Sequence, residues 1–410
     1  MILQRGSAQA VMFLSTLFAA RFATPETFGQ VGLFASICSF FSMASSLRLE
    51  VRGLVCKRDA SRQKFFGLAY ASNLLFFGVF LLAVGVLAAF WPAPIWFWLL
   101  PLGVLLSSLV QYVLPAQLST ERHLSGLGWM SQVVAIVTSI GQVVAATFSP
   151  TAVALIGSRL LGWLVGCLFM GAAVAKGVSA VGAIKRKSIR RVLHSSSHEI
   201  GYGVLASIVS VVTLQVPVYV FSLYALGSEV GLYWLSFNLL FVPYLIISGS
   251  IRPVFLRSAS AWRGSSVAHE KIRKLTLYSL LGGCVVAPVL AAACWLMAAF
   301  VLPPQWRDVG IFGVALAPLL CVLIAQTPIS FAISVFGLQR FNLIGGVVQF
   351  IGRLIAMAAA LHLTHRPIAG LVAFSLVSVL IYAAYIVHGL RLIQRKVARS
   401  SETPVWSPTL

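Results

Sequence analysis

Apolar residues run along this chain in twelve long blocks, with polar residues gathered in the short stretches between them. A helix crossing a bilayer needs about 20 mainly apolar residues at a rise of about 1.5 Å each. The blocks fall at about 6–23, 29–47, 66–90, 95–118, 126–148, 151–173, 201–225, 231–251, 275–301, 309–334, 341–362 and 368–390. The pattern predicts an all-α integral membrane protein of about 12 transmembrane helices. An even number of spans brings the chain back to its starting side, so both termini share one face. No stretch between blocks is large enough to fold as a domain, which places function among the helices.

The longest polar stretch, about Val174–Glu199, divides the chain near its middle, and the halves echo each other. Gly29-Gln30-Val31-Gly32-Leu33-Phe34 opens the second helix, and Ser228-Glu229-Val230-Gly231-Leu232-Tyr233 opens the eighth. Arg122 with Gln132, and Arg340 with Gln349, begin the penultimate helix of each half. This organisation predicts a six-helix lobe at 1–173, a linker at 174–200, a second six-helix lobe at 201–390 and a tail at 391–410. Halves of six share one orientation, so an axis along the membrane normal would relate them.

Composition agrees with a membrane protein and excludes a soluble one. The chain is 59% hydrophobic and 10% charged, against about 25% charged for soluble domains, and its mean hydropathy is +0.95. A net charge of +21 could suggest nucleic acid. The placement of the charge argues otherwise. Of the 30 lysines and arginines, 25 fall at the N-terminus, in alternate loops and in the tail, while the opposite loops hold only Arg21, Arg307 and Arg366. By the positive-inside rule the crowded side is the cytoplasm, with both termini there, and no nucleic-acid partner is implied. The only A-x-A near the start, Ala8-Gln9-Ala10, precedes the first apolar run, so a cleavable leader is not expected. The cluster Phe90-Trp91-Pro92-Ala93-Pro94-Ile95-Trp96-Phe97-Trp98 suits the interfacial aromatic belt. Six cysteines lie in or beside apolar runs without metal-ligand spacing, and we expect no metal and no cofactor.

The remaining two basic residues lie inside predicted spans. Arg159 is eight residues into the sixth helix, about 12 Å at the helical rise, and Arg353 is some twelve residues into the eleventh. A charge at that depth costs several kcal/mol unless it faces protein or water. Capping of carbonyls is one role for them; the other is a cationic cavity wall that receives an anion, favoured because no intramembrane carboxylate is available as a partner. All nine acidic residues sit in loops or at helix ends. Glu50 comes nearest to the membrane, between Arg48 and Arg52. On a continuous helix those arginines, at i and i+4, would share a face at the cytoplasmic mouth, with Glu50 turned aside as a gate residue. Gln111, Gln132, Gln142, Gln215, Asn238, Gln326 and Gln349 can bond across helices or line a wet path. Pro217, Pro243, Pro318 and Pro328 should interrupt helices seven, eight and ten. Gly162-x-x-x-Gly166 is a small-residue packing face. No phosphate-binding loop, dinucleotide fingerprint, metal-binding cluster or outward acidic pair exists, so an enzyme is not expected.

Several short motifs resemble one family in order and spacing. Phe22-Ala23-Thr24-Pro25-Glu26-Thr27-Phe28-Gly29 at the first outer turn is similar to the Tyr/Phe-x-x-x-Glu-x-Phe-Gly of polysaccharide-biosynthesis (Wzx-type) flippases. Leu47-Arg48-Leu49-Glu50, Val216-Pro217-Val218, Ser228 to Tyr233, Val242-Pro243 and Ile251-Arg252-Pro253-Val254-Phe255 resemble the family in turn. So does Leu302 to Gly310, with Val309 where the family has alanine. The resemblance implies the multidrug/oligosaccharidyl-lipid/polysaccharide exporter superfamily, in which two six-helix lobes face a central cavity walled by helices one, two, seven and eight. It implies translocation of an undecaprenyl-pyrophosphate-linked oligosaccharide from the cytoplasmic to the periplasmic leaflet of a bacterial inner membrane. A polysaccharide polymerase and a chain-length regulator would be partners, with membrane lipids around the protein. Carried onto this sequence, Arg21, Arg48, Arg52 and Arg252 lie on cavity helices or their ends, with Gln215 and Asn238 beside them. Arg159 and Arg353 lie on flanking helices. A guanidinium holds phosphate oxygens bidentately and keeps its charge. The alternative, a cation-coupled multidrug exporter of the same superfamily, predicts a buried carboxylate. A polymerase or ligase predicts a large basic outer loop, which the short outer connections exclude.

Overall fold

The computed structural model describes the backbone of residues 2–55, 59–120, 124–182, 186–261, 268–336 and 338–402. The side chains at 2–5, 55–60, 121–125, 182–203, 245–267, 334, 339 and from 398 onward lie outside the described set. Every regular element among the described residues is helical. The helices are α1 (Ile2–Ala20), α2 (Pro25–Ser45), α3 (Leu49–Val55) and α4 (Asp59–Phe90). The next span, Ile95 to Thr120, is a composite: a 3-10 turn (Ile95–Leu99), α5 (Leu100–Ser108), a π turn (Leu109–Val113) and α6 (Leu114–Thr120). Then come α7 (Leu124–Phe148), α8 (Ala152–Phe169), α9 (Gly171–Gly182), α10 (Arg186–Leu223) and α11 (Gly227–Ala261). The chain closes with α12 (Ala268–Phe300), a short 3-10 turn at Pro304–Trp306, α13 (Asp308–Val335), α14 (Gln339–Thr364) and α15 (Pro367–Glu402).

All twelve predicted blocks are therefore helices, with α3 and α9 as short additions. Ten helices among the described residues are long and apolar enough to cross a membrane. The apolar part of α1, Gly6–Ala20, is shorter, and the second half of α11 lies outside the described side chains. Hydropathy locates only the part of a helix that would sit in lipid. The hydrogen-bond ladder continues past it, so α4 starts at Asp59, α10 at Arg186, and α15 runs to Glu402 through Arg391 and Arg395. Much of the stretch expected as a linker is helical for the same reason.

Local chemistry sets the helix ends. Thr24 caps α2, its hydroxyl accepting from Thr27 N at 3.3 Å, with Pro25 in the first turn. Thr151 caps α8 in the same way. His365 in the left-handed region, φ 54, ends α14. The expected prolines do not end their helices. α10 carries Pro217, and α13 carries Pro318 and Pro328, within continuous helix. Side chains engage the backbone near these prolines: Tyr233 donates to Leu214 O at 2.6 Å, and Leu319 N donates to Ser375 Oγ at 3.2 Å.

The chain divides into two compact units, Met1–Trp234 and Leu235–Leu410. In the first, α1 packs on α7, α7 on α8, and α10 along α2. Ser15 Oγ lies 3.0 Å from Ser139 Oγ and 2.9 Å from Gln142 Oε1, a buried polar contact joining α1 to α7. The small-residue face of α8 meets α7 as expected: an added Cβ would fall 1.9 Å from Thr138 Oγ1 at Gly162 and 2.4 Å from Val134 Cγ2 at Gly166. The aromatic cluster splits. Phe90 and Trp91 are exposed, while Trp96 is buried edge-on to Phe34 at 6.4 Å.

In the second unit α12 and α13 pack closely, Gly283 facing the Cys321 backbone and Gly313 facing Cys294. A core of Ala268, Ile272, Ile329, Ile333, Phe336, Tyr385 and Ile393 joins α12, α13 and α15.

Candidate functional site

Helix α2 carries polar and small residues at three levels along its length. At its start, Arg21 and Glu26 are exposed, and Phe28 and Gly29 turn inward. Gly29 approaches the start of α11 so closely that an added Cβ would lie 2.2 Å from Gly227 O. From the other side, a Cβ on Gly231 would lie 1.7 Å from Pro25 O, and one on Gly32 would lie 2.9 Å from the Trp234 ring. Bare backbone is the only fit for such an approach. The two echoing segments of the sequence thus pack on each other. The spacing Gly227-x-x-x-Gly231 was the signal for it, of the same kind as Gly162-x-x-x-Gly166.

Midway along α2, Ser36 Oγ lies 2.9 Å from Gln215 Oε1 on α10 and 2.8 Å from Gly32 O on its own helix. The Tyr219 hydroxyl donates to Ser36 O at 3.2 Å. Arg159, half-buried on α8, is near enough for its charge to act on the Cys38 thiol two residues further along α2. Gln215 and Arg159, far apart in sequence, therefore both address the middle of α2. Ser36 and Tyr219 went unnoticed in the sequence, because isolated hydroxyls in apolar helices carry no spacing signal.

At the other end, α2 stops at Ser45 and the chain turns through Leu47 and Arg48, both left-handed at φ 50 and 56. Arg48 therefore precedes α3 rather than belonging to it, and the single helical face expected for Arg48 and Arg52 does not form. Both arginines are half-buried, whereas Glu50 is only 3% exposed. The inward residue is the carboxylate. α3 lies against α4 and α6, with Leu49 packed among Leu68, Ala69, Tyr70 and Val113, and Gly53 under the Phe66 ring. Tyr112, in the π turn, is near enough to feel both Arg48 and Glu50. Burial raises the Glu50 carboxyl above its ordinary range, while the neighbouring Ser46, its own backbone N–H and Arg48 pull it back. Close by, Ser45 Oγ lies 2.6 Å from Asn73 Oδ1 and 3.0 Å from Ser108 Oγ.

The other candidates are elsewhere. Asn238 is half-buried in the second unit, and Arg252 lies outside the described side chains. Arg353 is fully enclosed in the second unit, its guanidinium 5.3 Å from the Phe374 ring centre and 4.9 Å from that of Tyr382, both on α15. Gln326 Oε1 accepts from Ser330 Oγ at 2.8 Å, and Gln132 bonds Ser7 at the α1–α7 contact. The described residues contain no cluster of His, Cys, Asp and Glu able to hold a metal.

Two independent comparisons bear on this arrangement. The fold is that of the MOP transporter superfamily. An inward-facing multidrug resistance MATE family transporter of that superfamily matches with TM-score 0.67 at 13% identity, covering 99% of this chain and 100% of the other. Lipid II flippase MurJ, in an inward closed conformation, matches with TM-score 0.67 at 14% identity, covering 98% and 89%. A Vibrio cholerae MATE transporter, VcmN, matches with TM-score 0.59 at 14% identity, covering 96% of each chain. No curated protein sequence matches the chain at a significant level. The family model for polysaccharide biosynthesis protein covers residues 18–309. The chain belongs to that family. It is a multi-pass membrane protein, as its composition required.

Proposed function

We propose that this protein translocates an oligosaccharide linked through a diphosphate to a polyisoprenyl lipid, from the cytoplasmic to the outer leaflet of a bacterial inner membrane. The observation carrying this reading is a polysaccharide-biosynthesis chain with the fold of transporters, whose charges within the span interiors are both arginines. A diphosphate brings roughly two negative charges, which guanidinium groups bind with short charge-assisted hydrogen bonds. Arg159 is the leading candidate, because it is half-buried beside the middle of α2 and accompanied by the Gln215, Ser36 and Tyr219 polar groups on the elements around it. Arg48 and Arg52, which open a basic stretch running to Lys64, would meet the diphosphate first on the cytoplasmic side. Arg353 is left out of this set: its guanidinium is occupied by two aromatic rings. The polyisoprenyl tail stays in the bilayer while the head group crosses, so each state needs only a modest difference in affinity. Both termini lie in the cytoplasm on this reading, and a polymerase would take the product on the far side.

The test is reconstitution in vesicles with a fluorescent polyisoprenyl-diphosphate oligosaccharide, scored by exposure to a membrane-impermeant quencher. Arg159→Ala should slow translocation at least tenfold at equal protein level, about 1.4 kcal/mol of lost transition-state stabilisation. Undiminished translocation by Arg159→Ala would remove the anion role from that position. The cation-coupled drug exporter remains a second reading, because its required buried carboxylate exists at Glu50; it predicts transport of organic cations and none of the lipid-linked oligosaccharide.

A further inference from the structure

The carboxylate inventory changes once the fold is known. Among the described residues Glu50 is the buried carboxylate, 3% exposed, while Glu26, Glu270 and Asp308 are exposed and Glu229 half-buried. Its Oε2 and the neighbouring Ser46 Oγ are both enclosed, and neither reaches hydrogen-bond geometry with any described group. A buried ionised carboxylate with an unused oxygen is costly, and the ordinary remedy is to bind a proton.

The surroundings are built to let that state change. Leu47 and Arg48 hold left-handed backbone without being glycine, a conformation that persists only where the surrounding packing imposes it. The facing span breaks its α-helical ladder at Leu109–Val113, and π turns of this kind recur at functional positions. Each element around Glu50 brings its own charged or titratable groups, except α6, which has none. The turn supplies Arg48, and α3 itself supplies half-buried Arg52. The π turn supplies Tyr112. α4 supplies Tyr70, committed to Gln117 Oε1 at 3.1 Å, with half-buried Arg62 and exposed Lys64 further toward its start. Residues 56–58 and 121–123 lie outside the described set.

We propose that Glu50 is a proton-binding site of the cytoplasmic gate: its carboxyl carries a proton while the Leu47–Arg48 turn folds it against α4 and the π turn. When that turn opens, water reaches the carboxyl, the proton leaves to the cytoplasm, and the Arg48 guanidinium, already near enough to act on the carboxyl, pairs with it. Arg48 is then paired with a carboxylate rather than offered to an anion. Proton occupancy thus decides whether an arginine at the mouth is available. The link to an anionic substrate rests on the translocation reading; the protonation does not, and it is measured without substrate.

Purified full-length protein is treated with dicyclohexylcarbodiimide, a hydrophobic reagent that tags protonated carboxyls in apolar surroundings, and mapped by mass spectrometry across pH. The expected result is a tag on Glu50 that declines as pH rises through a midpoint above the ordinary carboxylate value. No tag at Glu50, or one independent of pH, overturns the proposal. Protection by sodium at constant pH overturns it in favour of a metal cation. Thermal unfolding supplies a second measurement. A carboxyl raised in the fold contributes stability at acid pH that is lost as pH climbs through the folded value. Glu50→Gln should match the wild type at low pH and become the more stable of the two at alkaline pH, by roughly 2–4 °C for each tenfold difference in proton affinity. Parallel curves overturn it. Should Glu50→Gln fail to fold, Arg48→Ala serves instead, and it should move the carbodiimide midpoint upward.

Discussion

Replacing Gly231 by alanine tests the α2–α11 contact at its closest point. The added methyl would start 1.7 Å from Pro25 O and 3.0 Å from Gly29 N, and both obstacles are backbone. No rotamer relieves such a clash, so the helices must part until the contact reaches the 3.4 Å or more of ordinary packing. Separation on that scale also loosens Gly29 against Gly227 O and Gly32 against Trp234. Overpacking of a well-filled interior costs about 1–3 kcal/mol. For a unit of this size that amounts to roughly 2–12 °C in unfolding temperature. Gly85 on α4 supplies the opposite control. Nothing lies within 4 Å of its added Cβ, and alanine there should be neutral or stabilising by about 0.5–1 kcal/mol through reduced chain entropy. The assay is thermal labelling of buried Cys38, Cys167 and Cys294 with a thiol-reactive fluorophore, in a background with Cys56, Cys284 and Cys321 replaced by serine. An unfolding temperature for Gly231→Ala equal to that of Gly85→Ala would refute the close approach.

Two further outcomes test the second unit. Tyr382→Leu should destabilise the wild type by about 1–2 kcal/mol more than it destabilises an Arg353→Met background, because the desolvated cation–π contact exists only when both groups are present; additive effects in the unfolding cycle would show that the rings do not hold the guanidinium. Cys284 and Cys321, on α12 and α13, have their sulfurs 3.6 Å apart. A mild oxidant should remove both thiols together from an alkylation count, and Cys284→Ser should leave Cys321 a free thiol that still alkylates. Independent loss of the two would contradict the α12–α13 register.

The polar residues show where sequence reasoning stopped. Arg159 and Gln215 were visible as polar groups in apolar runs, and the structure sets both against the middle of α2. Ser36 and Tyr219 had no such signal. Arg48 and Arg52 were placed on one helical face by assuming that α2 continues through Leu47; the left-handed turn broke that assumption and turned Glu50 inward. Arg353 looked like a cavity wall because no carboxylate was available to pair with it. Aromatic faces supplied the surroundings instead, and an arginine–ring pair across two helices has no fixed spacing in sequence.

What the sequence determined by itself is the number, position and class of the long helices. Spanning a bilayer is a local requirement: each segment must be apolar over its own length and satisfy its own backbone hydrogen bonds, and both conditions can be judged a segment at a time. Which side of each helix faces protein was decided only in three dimensions. Lipid tails and protein interiors are equally apolar, so a spanning helix can be hydrophobic all round and its periodicity says little about its neighbours. Trp96 turns in while Trp91 turns out, Gly231 meets backbone while Gly85 meets nothing, and Glu50 is buried between two half-exposed arginines. Those choices depend on the shapes of other helices, which no single segment contains.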